Sequence, residues 1–173
     1  MRRLAALMLA FLVLLAGLAH AGPTSPPAVT EDQKAALVAA LKDLHTAYEA
    51  RDVKKVMALI HEAVEATARK YQADHPEQPG ADQQIREAFV AFHEDIFQHQ
   101  DYHLLDFQPD FAEFSAREDG SVEVTSNVPI LSTDAMTFED SDGTPTTVRL
   151  RLGRFVLRPT AEGRWQIAEM DLF

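Results

Sequence analysis

Cysteine is absent from this chain of 173 residues. Disulfide bonds, a lipoprotein anchor and a cysteine nucleophile are therefore excluded, and the hydrophobic core must supply the stability of the fold. The sequence also lacks a glycine-rich phosphate loop, an H-E-x-x-H zinc motif and a nucleophile elbow around serine. Sequence motifs alone therefore indicate no particular reaction, metal or cofactor.

Basic residues are scarce, with 16 Lys and Arg against 27 Asp and Glu. Two of the basic residues, Arg2 and Arg3, lie at the very N-terminus, and the rest of the chain carries a formal charge of −13. Such a surface repels phosphate backbones and anionic membranes. Nucleic acid is therefore not expected as a partner.

One long hydrophobic run occurs, from Leu4 to Ala19, and it follows the two N-terminal arginines. Together with the small residues of Ala19-His20-Ala21, this order is typical of a secretory signal peptide cleaved after Ala21. An uncleaved membrane anchor is the alternative, although the run falls short of the ~20 residues that a spanning helix needs. We expect a periplasmic or secreted protein with a signal peptide (1–21), a proline-rich linker (22–29), a single domain (30–173) and no membrane insertion after cleavage.

The first half of that domain has the periodicity of helices. Thr30 and Gln33 have the spacing of a capping box, and leucines and a tyrosine follow at helical intervals as far as Tyr48. Asp52 is a plausible cap for a second helix, which begins at Val53 and extends towards Tyr71. A loop is predicted at 73–80 and a third helix from Ala81 to about Gln98, with an apolar stripe at Ile85, Ala88, Phe89, Phe92 and Ile96.

After the third helix the apolar period changes to two, which is typical of strands. Strands are predicted at 102–107, 111–117, 121–131, 146–159 and 165–171. Gly153 interrupts the alternation of the fourth, which indicates a bulge or bend. Because no strand precedes the first helix, parallel βαβ folds are disfavoured, and the sequence predicts an α+β fold with helices covering one face of a curved antiparallel sheet.

Three segments in this order resemble the nuclear-transport-factor-2-like (NTF2-like) superfamily, which includes SnoaL-like and ketosteroid-isomerase-like proteins. They are LHTAYEARDVKKVMALI (44–60), GADQQIREAF (80–89) and RLGRFVLRPTAEGRWQIAEMDLF (151–173). The resemblance implies a cystatin-like cone, in which a strongly bent sheet wraps a long helix and leaves a cavity at its open end. That cavity serves catalysis in some members and ligand or protein binding in others, and many members dimerise. Fold alone transfers no reaction.

The enzymes of this superfamily that resemble ketosteroid isomerase carry a carboxylate base just after the second helix. In this chain the corresponding stretch, 61–68, still has a helical pattern, and Glu62 or Glu65 lies near the position of the base. Tyr48 is the candidate to polarise a substrate carbonyl, or else it is a core tyrosine bonded to the backbone. His93 is a candidate acid or base.

His93, His99 and His103 cluster with acidic residues around the end of the third helix. Either a metal site or a solvated acidic helix end fits this pattern, and the latter is the preferred interpretation. Arg149, Arg151 and Arg154 form a basic stripe, which indicates either a partner-binding strip or cross-strand ion pairs.

We expect a non-catalytic module that holds a small apolar or amphipathic ligand, or a protein partner, in the cone. The alternatives are a SnoaL-like enzyme that transfers a proton on a carbonyl compound, and an interaction protein whose cavity is filled by its own side chains. The predicted wall of the cavity consists of Tyr48, Phe89, Phe92, His93, Tyr102 and Trp165.

Overall fold

The computed structural model describes residues 28–139 and 143–171. The predicted signal peptide, nearly all of the predicted linker and the tip of the turn at 140–142 lie outside these ranges. In the described part of the chain the helices come first: α1 (Glu31–Glu49), α2 (Val53–Leu59), α3 (His61–Asp74) and α4 (Ala81–Gln98). The strands are β1 (Ala112–Ala116), β2 (Val122–Ser126), β3 (Leu131–Ser132), β4 (Met136–Glu139), β5 (Pro145–Val148), β6 (Arg151–Leu152), β7 (Arg154–Pro159) and β8 (Trp165–Met170).

Every strand pair is antiparallel, so the predicted α+β class is confirmed. The largest sheet has the order β1-β2-β7-β8. Farther along the same chain segments, β3 pairs with β6 and β4 pairs with β5. The segments 122–139 and 145–157 therefore form one long antiparallel ribbon.

The ribbon is irregular at Gly153, as the alternation predicted. The Ser126 amide donates to the Gly153 carbonyl at 2.9 Å, and the Ile130 amide donates to the Leu152 carbonyl at 2.9 Å. The extra residues, 127–129, thus lie in the strand opposite the glycine. A Cβ at Gly153 would stand 3.4 Å from the Ser126 carbonyl oxygen, which is van der Waals contact.

The start of α1 has the predicted capping box. The hydroxyl of Thr30 accepts from the Gln33 amide at 3.2 Å, and the Thr30 amide donates to the Gln33 side chain at 2.9 Å. The leucine stripe that follows is fully buried. Local capping and burial of one face therefore both place this helix.

The second helix differs from the prediction, because α2 ends at Leu59 and α3 starts at His61. Ile60 lies at the junction with non-helical angles (φ −103°, ψ 10°) and a fully buried side chain. Burial of Ile60 thus accompanies a break that the continuous apolar pattern does not reveal. The helix α4 matches its predicted range, Ala81 to Gln98.

The strand predicted at 102–107 is reduced to a single bridge between Leu104 and Thr133. Leu105 donates to Ser132, and Asp134 donates to His103, at 2.9 and 3.0 Å. A 3-10 turn, Pro109–Phe111, follows at once and limits the length of the pairing.

Candidate functional site

Tyr48 and His93 form a buried pair at the contact between α1 and α4. The Tyr48 hydroxyl and Nε2 of His93 are 2.7 Å apart, and both side chains are completely inaccessible to solvent. Nδ1 of His93 lies 2.6 Å from the Phe89 carbonyl oxygen, one turn earlier in α4. A carbonyl can only accept, so Nδ1 carries the proton, Nε2 of the neutral ring is the acceptor, and Tyr48 donates to it.

Burial sets the protonation of both groups. Desolvation raises the pKa of Tyr48 far above its usual 10, and the neighbouring Tyr102 adds to that increase. Desolvation also lowers the pKa of His93 below its usual 6.5, although the hydrogen bond to Phe89 opposes the change. Tyr48 is therefore a neutral donor and His93 a neutral acceptor at pH 7.

Aromatic rings surround the pair. The rings of Tyr48 and Phe97 meet edge to face at 5.5 Å, and those of Phe97 and Tyr102 meet at 5.2 Å. The Tyr102 hydroxyl donates to the Tyr48 carbonyl at 2.9 Å. This interior is packed and hydrogen-bonded, and no buried side-chain nitrogen or oxygen in the described part of the chain lacks a partner.

Arg51 holds the outer edge of this cluster. Its guanidinium donates to the carbonyls of Phe97 and Tyr102 at 2.9 and 3.0 Å and lies 4.8 Å from the centre of the Tyr102 ring. Arg51 has a positive φ of 53°, so the turn between α1 and α2 puts a bulky residue in the left-handed region. This contact between the turn and the end of α4 has no signal in the sequence, where Arg51 is one charged residue between the first two predicted helices.

The arrangement does not place the Tyr48 hydroxyl where a substrate carbonyl would meet it. Its hydrogen goes to His93, and its side chain has no accessible surface. Glu62 lies half-buried in the first turn of α3, and Glu65 binds Arg86 at 2.7 and 3.1 Å. The hydrogen bonds of Tyr48 and His93 thus go to each other and to the backbone, not to a carboxylate.

The other histidines of the predicted cluster are separated from His93. His99 follows α4 and contacts the Thr137 carbonyl through Nε2 at 2.8 Å, while the exposed His103 pairs with Asp134 at 3.2 Å. Across residues 28–139 and 143–171, no group of three or more His, Asp or Glu side chains is placed to hold a metal ion. His93 itself lies in the core and not at a solvated helix end, because it occupies the buried face of α4 with Ile96 and Phe97.

The basic stripe divides into two parts. Arg154 binds Glu123, Glu169 and Asp171 on the outer face of the sheet, and Arg117 adds contacts to the first two of these at 3.3 and 3.6 Å. Arg149 and Arg151 are exposed on the other part of the ribbon. Of the two interpretations of the basic stripe, cross-strand ion pairing therefore applies to Arg154.

An open cleft of about 530 Å³ lies elsewhere, between α1, the end of α2 and the turn that joins β7 to β8. Its volume is within the range of roughly 300–1,000 Å³ that is common for small-molecule sites. Trp165 is the one residue of the predicted cavity wall that lines it. The complete lining is Ala36, Ala39, Ala40, Asp43, Ala58, Leu59, Thr160, Gly163, Arg164, Trp165, Gln166 and Ile167.

Local structure explains the cleft. The face of α1 next to its buried leucines carries alanines, and their short side chains leave open space beside the helix. Opposite, Gly163 has a positive φ of 76°, its amide donates to the Thr160 carbonyl at 2.9 Å, and the chain returns as β8 with Trp165. The alanine positions are visible in the sequence, but only the contact between α1 and the distant hairpin turn identifies them as a wall.

Comparisons with known proteins give a distant neighbour. No family model matches the chain, and no curated protein matches it significantly. A solved structure of a Xanthomonas campestris protein, assigned as a calcium/calmodulin dependent protein kinase II association domain, is similar at 19% identity and a TM-score of 0.40. The match covers 87% of this chain and 94% of that one. Separately, no helix among the described residues is long and apolar enough to cross a membrane.

Proposed function

We propose that the protein is a non-catalytic binding module with an NTF2-like fold, which holds a small apolar or amphipathic molecule in the cleft beside Trp165. The proposal rests on the contrast between the two candidate sites. The Tyr48–His93 interior is filled by its own side chains, whereas the cleft is open and offers an apolar wall. Ligand sites are usually concave and mostly apolar with a few polar groups, and the cleft has this composition.

The family part of the proposal is supported by the order of the elements. Helices precede an antiparallel ribbon that is interrupted at Gly153, and the segment 151–173, one of the three that resemble the superfamily, contains the closing hairpin of β7 and β8. The signal-like N-terminus supports a periplasmic or secreted location. Binding of a protein partner at the same cleft is the alternative within this proposal.

Trp165 makes the test direct, because it is the only tryptophan in the chain. Its intrinsic fluorescence therefore reports on the cleft without a label. Titration with octyl glucoside below its micelle concentration is expected to shift the Trp165 emission to shorter wavelength in a saturable manner. A linear, non-saturating response would contradict the proposal.

A matched pair of variants separates the cleft from the rest of the surface. Ala39→Gln puts a longer side chain into the cleft, whereas Ala35→Gln makes the same change at an exposed position of α1 outside it. Both residue types favour helix, so neither change is expected to unfold the protein. Ala39→Gln should lower the affinity for octyl glucoside by about tenfold, which corresponds to about 1.4 kcal/mol, and Ala35→Gln should leave the affinity unchanged.

A further inference from the structure

We propose that the cleft selects ligands that carry a positive charge beside an apolar body; this inference rests on the binding role proposed above. The evidence is the charge left unpaired on the wall, together with the indole of Trp165. Most of the remaining lining is alanine, leucine or isoleucine, so the charged groups decide the preference.

Asp43 is the unpaired charge. It is exposed on α1, and none of its helical neighbours three or four residues away is basic, since these are Ala39, Ala40, Thr46 and Ala47. Such neighbours are the usual source of ion pairs on a helix surface. In the part of the chain that the structure describes, Asp43 takes part in no ion pair.

The only basic residue of the lining is Arg164, and its guanidinium is bound to Glu162 in the same turn. Glu162 lies next to the lining and not in it, but its pair with Arg164 contributes no net charge beside the cleft, so the charge left there is the negative charge of Asp43. The formal charge of the whole chain, −11, has the same sign. An anion entering the cleft would therefore meet repulsion from both, and a cation would meet attraction.

Trp165 gives a second reason to expect that the cleft prefers cations. It is half-buried in the wall, and it packs partly against the hydrophobic core. A cation placed near an indole ring is attracted by the ring electrons, and tryptophan is the strongest of the aromatic residues in this respect. An alkylammonium group on an apolar chain thus meets a carboxylate, an indole and an apolar surface in one cleft.

The test compares three probes with the same alkyl chain, each below its micelle concentration: octyltrimethylammonium, octyl glucoside and octyl sulfate. Trp165 emission is followed at low salt. The cation is expected to bind about tenfold more tightly than the anion, which is the size expected when a partly exposed charge attracts one probe and repels the other. Half-molar salt should reduce this preference, because it screens exposed charges beyond about 4–5 Å.

Asp43→Asn is the decisive variant, and Asp106→Asn is its control. Both remove one negative charge from the chain, but Asp106 is exposed in the 103–108 segment and does not line the cleft. Asp43→Asn should lower the ratio of cation to anion affinity by about threefold or more, and Asp106→Asn should leave it unchanged. Equal effects of the two variants would overturn the inference, because they would assign the preference to the overall charge.

The same titrations separate failure of this inference from failure of the proposed function. If all three probes bind with equal affinity and Ala39→Gln weakens all of them, the binding role stands and charge selection is wrong. If no probe gives a saturable change at Trp165, the binding role itself is contradicted.

Discussion

The Tyr48 hydroxyl donates a 2.7 Å hydrogen bond to Nε2 of His93, and neither side chain has any accessible surface. Because the other ring nitrogen donates to the Phe89 carbonyl, the tautomer of His93 is fixed from both sides. The two residues are 45 positions apart in sequence, and their hydrogen bond connects α1 with α4. We therefore assign it a structural role, and its stability and pH dependence are open to measurement.

Tyr48→Phe should destabilise the protein by about 1–3 kcal/mol, because Nε2 of His93 would then be buried without a donor. The measurement is the free energy of unfolding in urea. Tyr71→Phe is the control, since Tyr71 is half-buried on α3 and stacks on His75 through its ring. A loss in Tyr48→Phe no larger than that in Tyr71→Phe would show that the hydrogen bond contributes nothing.

A double-mutant cycle isolates the pair. In His93→Leu the Tyr48 hydroxyl loses its acceptor, and in the double variant both polar groups are gone. We expect the double variant to be less destabilised than the sum of the single variants, by about 0.5–3 kcal/mol. Strict additivity would contradict direct coupling between the two side chains.

The buried His93 should make the protein sensitive to mild acid. Its pKa is lower in the folded than in the unfolded state, where 6.5 is the reference value. The contribution of His93 to the free energy of unfolding is then fully present above pH 6.5. It falls as the pH decreases below that value, by at most about 1.4 kcal/mol per pH unit for this one proton. Unfolding in urea at pH 7.5, 6.5 and 5.5 measures the decrease.

The carboxylates must be kept apart from this effect. Hydrogen bonds from Arg86 lower the pKa of Glu65 and Asp82, and hydrogen bonds from Arg154 and Arg117 lower that of Glu123. Their contribution is present above the reference values of 4.5 and 3.8 and is lost as the pH falls through their lowered values. Between pH 7.5 and 5.5 the slope of the free energy of unfolding against pH should therefore disappear in His93→Gln. If that variant keeps the slope, His93 is not its origin.

The buried pair shows where sequence analysis reaches its limit. Leucines at helical spacing and the capping box predicted α1 almost to the residue, because local patterns determine them. His93 was expected in a cluster of three histidines, as an acid or base, and on the wall of the cavity, but the sequence did not predict its bond to Tyr48 in a filled core. Its burial depends on one acceptor, Nε2, and one donor, Tyr48, which only the packing of α1 against α4 brings together.

The same limit applies to the cleft. Trp165 was recognised from the closing hairpin, but Ala36, Ala39 and Asp43 carry no signal of a binding wall in an alanine-rich helix. Phe89 and Phe92 were expected on the cavity wall, and they lie half-buried against the core beside His93. Which face of a helix meets which turn is a long-range relationship, and periodicity contains no information about it.

Arg51 offers a test of the turn between α1 and α2. Arg51→Ala and Arg51→Gly both remove the guanidinium bonds to Phe97 and Tyr102, but only alanine keeps a Cβ at a φ of 53°. Arg51→Gly should therefore be more stable than Arg51→Ala by about 1 kcal/mol, measured by urea unfolding. If alanine is the more stable of the two, the left-handed conformation of this turn is contradicted.

Gly163 connects the shape of the cleft with the stability of the closing hairpin. Its φ is 76° and an added Cβ would meet nothing within 4 Å, so a substitution costs conformational energy without a clash. Gly163→Ala should destabilise the protein by about 1 kcal/mol, and Gly163→Asn by less, because asparagine adopts this conformation more readily.

Gly120→Ala is the matched control, since Gly120 has a φ of 80° and equally open space in the turn between β1 and β2. Both alanine variants should lose similar stability in urea, but only Gly163→Ala should change the Trp165 emission of the folded protein, because the turn of Gly163 places that indole in the cleft. An identical emission spectrum in all three glycine variants would show that the turn does not position Trp165.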